Sequence, residues 1–306
     1  MKFDGPLNSF IRSVGKPPFI YGTAWKKDET KRLVTEALGA GFTAIDTAAQ
    51  PRHYREDLVG EAIRAAYASG MATRDQLYIQ TKYTPPGGQD RNNMPYDPTS
   101  PLETQIRTSV ASSLRNLRPQ EAEDSEKDTY IDCLLLHSPL PSIEKTIQAW
   151  KILESYVPHK IKALGISNTD LSILEAIYES ANVKPKVVQN RFHKATAWDV
   201  SLRKFCRDHD IIYQSFWTLT GNPKIFSGDA VHQLSQLAGV SKEVAMYSLV
   251  IALGGIAPLN GTTNVQHMKD DLQDVERVRN WTFVYADKWK SIVDAFKASI
   301  KEETEM

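Results

Sequence analysis

Four side chains that can hold or move a proton, Asp46, Tyr54, Lys82 and His137, stand out first in this 306-residue chain. A free phenol ionises near pH ~10, too high for easy proton exchange at neutrality, and a neighbouring ammonium favours the phenolate. Lys82 would supply that field. Asp46 would keep the ammonium charged and oriented, while His137 would hydrogen-bond the oxygen of a carbonyl substrate. Tyr54 is then the acid. Protonating a carbonyl oxygen requires an electron donor, and no side chain here delivers a hydride, so a cofactor is implied. The stretch IDTAAQPRHYREDLVG, residues 45 to 60, also admits a plainer account, in which Asp46-Thr47 caps a turn and Tyr54 is a half-buried anchor. The elements that place the other residues decide between them.

From Pro17 onward, short β-like runs alternate with amphipathic helical stretches, as repeated βα units require. The expected strands are residues 17 to 23, 42 to 48, 76 to 83, 130 to 138, a fifth ending at Ser167 and Asn168, then 186 to 192, 211 to 217 and 256 to 259. Between them, apolar residues recur at helical spacing, as in Leu33, Val34, Ala37 and Leu38, a helix that Asp28 can cap. The run YIDCLLLHS is almost continuously apolar, which suits a parallel strand buried on both faces. Thr84 to Pro101 is rich in Pro and Gly and too long for a bare connector, so a lid or pocket wall is expected there. Glu121 to Asp128 is a solvated charged excursion. Asp46, Lys82 and His137 then fall at the C-terminal ends of strands two, three and four, the face where barrels carry chemistry.

Lys+Arg and Asp+Glu are both 37, so no net basic field draws nucleic acid or an anionic membrane. The two cysteines, Cys133 and Cys206, lie in apolar segments and read as buried thiols rather than a redox or zinc pair. The amino-terminal residues lack an apolar run long enough for a signal sequence or membrane span. A cytoplasmic monomer in one barrel domain, residues 1 to 306, is expected, with a hairpin or plug over 1 to 16 and a C-terminal helix over 281 to 306.

Taken in order, GTAW, IDTA, Tyr54, TK, LLLH, GISN, Gln189 and SFW resemble the aldo-keto reductase family over roughly residues 17 to 275. The resemblance implies a (β/α)8 TIM barrel, an extended nicotinamide dinucleotide across its C-terminal rim, and a tetrad matching Asp46, Tyr54, Lys82 and His137. It further implies that Ser167, Asn168 and Gln189 hold the nicotinamide carboxamide, that Phe216 stacks on its ring where the family usually has tyrosine, and that Leu219 belongs to the pyrophosphate loop. No G-x-G-x-x-G run occurs, which argues against a Rossmann site but not against this mode of binding.

The chain departs from that pattern in three places. Asp46 and Tyr54 are further apart than usual, which requires a bulge around Gln50 to His53 and makes His53 a neighbouring rival for proton transfer. Where the family carries Lys-Ser and then Arg on the adenosine 2′-phosphate, this chain reads PLNGTTNVQHM. Without those cations the strong charge-assisted bonds are lost; Thr262 and His267 remain as candidates, so the resemblance favours NADP(H) and the residues leave NAD(H) open. Ser138 stands where a tryptophan is frequent, and Trp25, Tyr83, Ser138 and Trp217 are candidate walls of the substrate pocket. The expected activity is hydride transfer between the cofactor and an aldehyde or ketone, or an alcohol in reverse. A catalytically silent nicotinamide-binding regulator on the same barrel is the alternative. A metal-dependent hydrolase using Asp46 and His137 lacks the His-x-His or His-Glu-x-x-His spacing it would need.

Overall fold

The computed structural model describes residues 19 to 121 and 129 to 301. The hairpin or plug expected over residues 1 to 16 and all but Glu121 of the charged excursion expected over 121 to 128 lie outside them. Eight strands, β1 Ile20–Gly22, β2 Ala44–Asp46, β3 Tyr78–Tyr83, β4 Ile131–Leu136, β5 Ile161–Ser167, β6 Val187–Arg191, β7 Ile212–Phe216 and β8 Ile256–Asn260, close in sequence order into a barrel. The described pairings are parallel, with Gly22 beside Asp46, Asp46 beside Gln80, and Ser167 beside Gln189. Crossovers between parallel neighbours need a helix, and the sequence supplies one of the right period after each strand. The molecule is an (α/β)8 barrel.

Two compact units make up the chain, Ile20–Gln189 and the part from Asn190 onward. In the first, the helices are α1 Thr30–Ala40, α2 Glu56–Ala68, α3 Leu102–Asn116, α4 Ile143–Glu154 and α5 Leu171–Ser180. Ser142 and Asp170 cap α4 and α5 by accepting the N–H of Lys145 and Ile173. Asp28 does not cap α1. It lies in a 3-10 turn before that helix and pairs with Arg55 at 2.6 Å, a charged partner that outbids a backbone N–H. Gly41, at φ 111°, ends α1 in the left-handed region, where glycine carries no Cβ penalty.

From Asn190 the helices are α6 Val200–Asp208, the short α7 Pro223–Phe226, α8 Asp229–Ala238, α9 Lys242–Ala252, α10 Val265–Val284 and α11 Ala286–Ser299. The helix expected to run from residue 281 is interrupted. Trp281 ends inside α10, the backbone breaks at Tyr285, and α11 carries the buried Ile292, Val293 and Phe296. Among the described residues no helix is long and apolar enough to cross a membrane.

Strand parity decides what β3 shows to the barrel interior. Successive side chains alternate faces: Gln80 and Lys82 meet Asp46 of β2 inside, whereas Thr81 and Tyr83 meet Glu56 of α2 and Gln105 of α3 outside. Gly60 lets α2 approach α3 closely. A Cβ there would stand 1.8 Å from the carbonyl oxygen of Asn116. Gly60→Ala therefore forces the helices apart and is expected to lower stability by about 1 to 3 kcal/mol, as overpacking does, read from the midpoint of denaturant unfolding.

Candidate active site

Asp46 ends β2 with its carboxylate 1% exposed. Its Oδ2 accepts from Lys82 Nζ at 2.6 Å, and its Oδ1 accepts from Gln80 Nε2 at 2.6 Å and Gln189 Nε2 at 3.0 Å. Lys82 Nζ also donates to the carbonyl of Thr47 at 2.9 Å. Both charges are fully buried, so each needs these partners. Burial lowers the Lys82 ammonium from its ordinary range, and the Asp46 carboxylate beside it works against that shift.

The loop that carries Tyr54 begins as a continuation of β2. Thr47 and Ala49 donate their N–H groups to the carbonyls of Gln80 and Lys82, so the chain runs on beside β3. Gln50 then turns it: its carbonyl accepts the N–H of His53 at 3.0 Å and of Tyr54 at 2.9 Å. Residues 51 to 53 form the bulge that the long Asp46 to Tyr54 spacing demands, and the turn returns Tyr54 to the strand ends. Its half-buried ring lies 5.0 Å from Lys82 Nζ and 6.0 Å, edge to face, from the His137 ring. The phenol oxygen makes no hydrogen bond to any described residue, which leaves it open to a substrate oxygen.

The field at this phenol differs from the expectation that Lys82 would favour the phenolate. Burial, reinforced by the Asp46 charge, raises the Tyr54 pKa well above its usual range. Both causes favour the neutral phenol over the phenolate. His53 is engaged with Trp25: the two rings lie 3.7 Å apart at a tilt of 36°, its carbonyl accepts the Trp25 N–H at 2.7 Å, and burial lowers its pKa.

His137 follows β4, and its Nδ1 lies 2.6 Å from Thr84 Oγ1. Asn168, at φ 54°, donates through Nδ2 to the His137 carbonyl at 2.9 Å and to Ser167 Oγ at 3.1 Å; Ser167 Oγ donates to the Gln189 carbonyl at 2.7 Å. Thus Ser167, Asn168 and Gln189 form one hydrogen-bonded set next to the Asp46 pair. An amide needs both a donor and an acceptor from its host, and a hydroxyl with two carboxamides supplies both kinds. Ser167, Asn168 and Gln189 thus carry the donor and acceptor types that an amide requires.

The loop expected as a lid or wall is fastened at several points. Gln50 Nε2 donates to the Gly88 carbonyl, Gln89 Nε2 to the Ala49 carbonyl at 2.8 Å, and Tyr96 OH to the Thr84 carbonyl at 2.6 Å. The two glutamines clasp the loops after β2 and β3 to each other. Tyr83 is a correction: proposed as a pocket wall, it is fully buried on the outer face of β3, its hydroxyl 3.4 Å from Gln105 Oε1 and its ring 5.7 Å from Tyr96. Parity gives the reason. Thr84, one residue on, is the one that reaches His137, and Gln80, two before Lys82, reaches Asp46; counting in twos from Lys82 would have found both. Trp25, 65% exposed, and half-buried Ser138 lie after β1 and β4.

In the unit from Asn190, half-buried Phe216 closes β7, with Trp217 beside it 53% exposed and the Arg191 guanidinium 5.3 Å and 4.9 Å above the two rings. Leu219 sits in a loop closed by Asn222, whose Nδ2 donates to the carbonyls of Phe192 and Thr218 at 2.6 and 2.9 Å. Gly221 is required in that loop, since a Cβ would stand 2.7 Å from the Trp217 carbonyl oxygen. Thr262 Oγ1 accepts the Asn264 N–H at 3.2 Å, Asn264 caps α10, and His267 is exposed in its first turn. Asp271 accepts from Asn260 at 2.7 Å, and burial raises its pKa to about 6. Among the described residues no group of three or more His, Cys, Asp or Glu is placed to hold a metal ion.

Comparison with known proteins adds an independent finding. The model of the aldo/keto reductase family matches residues 18–226. An uncharacterized oxidoreductase of Schizosaccharomyces pombe is 29% identical over 251 residues, covering 81% of this chain and 78% of its own. A second protein of that yeast, an NAD/NADP-dependent indole-3-acetaldehyde reductase, is 26% identical over 271 residues, 84% of each chain. The crystal structure of an aldo/keto reductase from Brucella melitensis superposes with a TM-score of 0.65 at 22% identity, covering 86% of this chain and 93% of that one, a likeness of fold.

The raised Tyr54 pKa gives a direct expectation. In the difference between wild type and Tyr54→Phe, the ultraviolet signal of tyrosinate should emerge only above the ordinary phenol value of about 10. A Tyr54 signal already present near neutrality would mean that Lys82, and not burial, dominates the field.

Proposed function

This chain belongs to the aldo/keto reductase family, and from that premise we propose that Tyr54 is the general acid of a reductase that converts an aldehyde or ketone to an alcohol, and the reverse, with NADP(H). The observation that carries the reading is the half-buried phenol: its oxygen is unengaged by the described residues, and it stands beside a buried ammonium and an imidazole. Bound nicotinamide supplies the hydride. Ser167, Asn168 and Gln189 would hold its carboxamide, and Phe216 offers a partly open π face for its ring.

The chain's own residues then divide the work. His137 hydrogen-bonds the carbonyl oxygen and orients it toward Tyr54. Tyr54 donates its proton to that oxygen as the carbonyl carbon gains the hydride, which leaves a phenolate. Lys82, 5.0 Å from the ring centroid, stabilises that new negative charge. Asp46 keeps Lys82 in place through the 2.6 Å pair, and the two glutamines on Oδ1 keep Asp46 from following the ammonium. The elevated phenol pKa suits reduction, in which the group must begin protonated.

In the unit Ile20–Gln189 the residues proposed for the substrate's surroundings are Trp25, an exposed indole, and the small polar Ser138. At the adenosine end, Leu219 belongs to the loop proposed for the pyrophosphate, and Thr262 and His267 are the groups proposed for the 2′-phosphate. His267 is exposed on the first turn of α10, whose partial positive charge favours an anion.

The reading is tested by following NADPH absorbance with a panel of small aldehydes and ketones. Tyr54→Phe should lower kcat by at least about a hundredfold, the scale of general acid catalysis, with NADPH still binding by fluorescence titration. Undiminished turnover in that variant would reject Tyr54 as the acid. For the cofactor, His267→Arg should tighten NADPH relative to NADH by about tenfold or more, since a charged bond to phosphate is worth roughly 1.5 to 3 kcal/mol; an equal effect on both cofactors would place the 2′-phosphate elsewhere.

A further inference from the structure

We infer that Thr84 is a positioning residue that fixes the tautomer of His137, leaving the imidazole proton on Nε2 where it can be donated to a substrate oxygen. The inference rests on the reading of His137 and Tyr54 given above and goes beyond it, because it names the group that sets the imidazole's polarity.

Thr84 is only 2% exposed, and its Oγ1 lies 2.6 Å from His137 Nδ1. A hydroxyl in this position carries a proton that needs an acceptor, and Nδ1 is its sole hydrogen-bond partner among the described residues. If Nδ1 carried a proton and donated it to Oγ1, the Thr84 hydroxyl proton would be left buried without an acceptor, which is costly. The favourable arrangement is therefore Oγ1–H donating to Nδ1. A neutral imidazole that accepts at Nδ1 carries its proton at Nε2. With the opposite polarity, Nε2 would present a lone pair to the carbonyl oxygen and repel it.

The threonine is itself held in place. Its carbonyl accepts from Tyr96 OH at 2.6 Å and from Gln89 Nε2 at 3.3 Å, and the same Gln89 nitrogen donates to Ala49 at 2.8 Å. The loop that carries Tyr54 and the residue that orients His137 therefore share an anchor. The donor to the substrate oxygen and the acid that protonates it are kept in register from one side of the site.

Nitrogen-15 NMR of the protein labelled at histidine reads the tautomer directly, with His137→Gln identifying the resonances. In the wild type without cofactor, His137 should show a protonated Nε2 and an unprotonated Nδ1. Thr84→Val, which keeps the shape and removes the hydroxyl, should shift His137 toward the other tautomer and lower kcat by about tenfold to a hundredfold, as loss of an orienting outer hydrogen bond does, with NADPH affinity unchanged. Thr84→Ser should restore both. A wild-type spectrum with the proton on Nδ1, or a Thr84→Val protein that keeps the wild-type tautomer and kcat, would overturn the inference. Because the wild-type spectrum needs neither turnover nor the valine variant, a wild type that turns over no carbonyl would count against the proposed function and leave the tautomer result standing.

Discussion

Everything around the candidate site depends on one buried ion pair. Asp46 and Lys82 meet at 2.6 Å with essentially no solvent access, and a pair so placed is tolerable only when each remaining lone pair and proton is also satisfied. The barrel interior is arranged to do that. Gln80 and Gln189 come from strands on different sides of Asp46, Thr47 lends its carbonyl to Lys82, and Tyr78 OH in turn holds Gln80 Oε1 at 3.1 Å. The strands must therefore keep their register. A one-residue slip of β3 would turn Gln80 and Lys82 outward and bring Thr81 and Tyr83 inside, exchanging the ion pair's partners for groups that cannot serve it.

The same constraint explains why burial governs the phenol. Sequence reasoning placed an ammonium near Tyr54 and assigned the pKa to its field, since residue types and strand ends are visible in a linear chain. The depth of the ring is not visible there. Folding buries the phenol beside a carboxylate that already occupies the ammonium, so the net environment opposes a second negative charge until chemistry creates it.

The barrel itself was readable because its strands are short apolar runs separated by helices of regular period, and each of the eight falls within about a turn's length of its expected place. Asp46, Lys82 and His137 were readable for the same reason, as polar residues closing apolar strands. Tyr83 was misread because its neighbour in sequence, Lys82, belongs to the site, and adjacency in a strand means opposite faces. The glutamine clasp was invisible: Gln50 and Gly88 are 38 residues apart, and nothing in either loop marks the other as its partner. Around Thr262 and His267 only the family resemblance spoke, since a loop followed by a helix start has no period to read.

The clasp also bears on how this site can change. Gln50 and Gln89 each reach from one loop to the backbone of the other, and backbone carbonyls are present whatever side chains surround them. Residues 51 to 53 are held as well, by the Gln50 carbonyl on the N–H groups of His53 and Tyr54 and by the Trp25 N–H on the His53 carbonyl, so the length of the bulge is tied to the place of Tyr54. The loops themselves cannot be traded singly: transplanting either from a related barrel would strip the other of its hydrogen bonds, and a new specificity grafted here has to arrive as a matched pair.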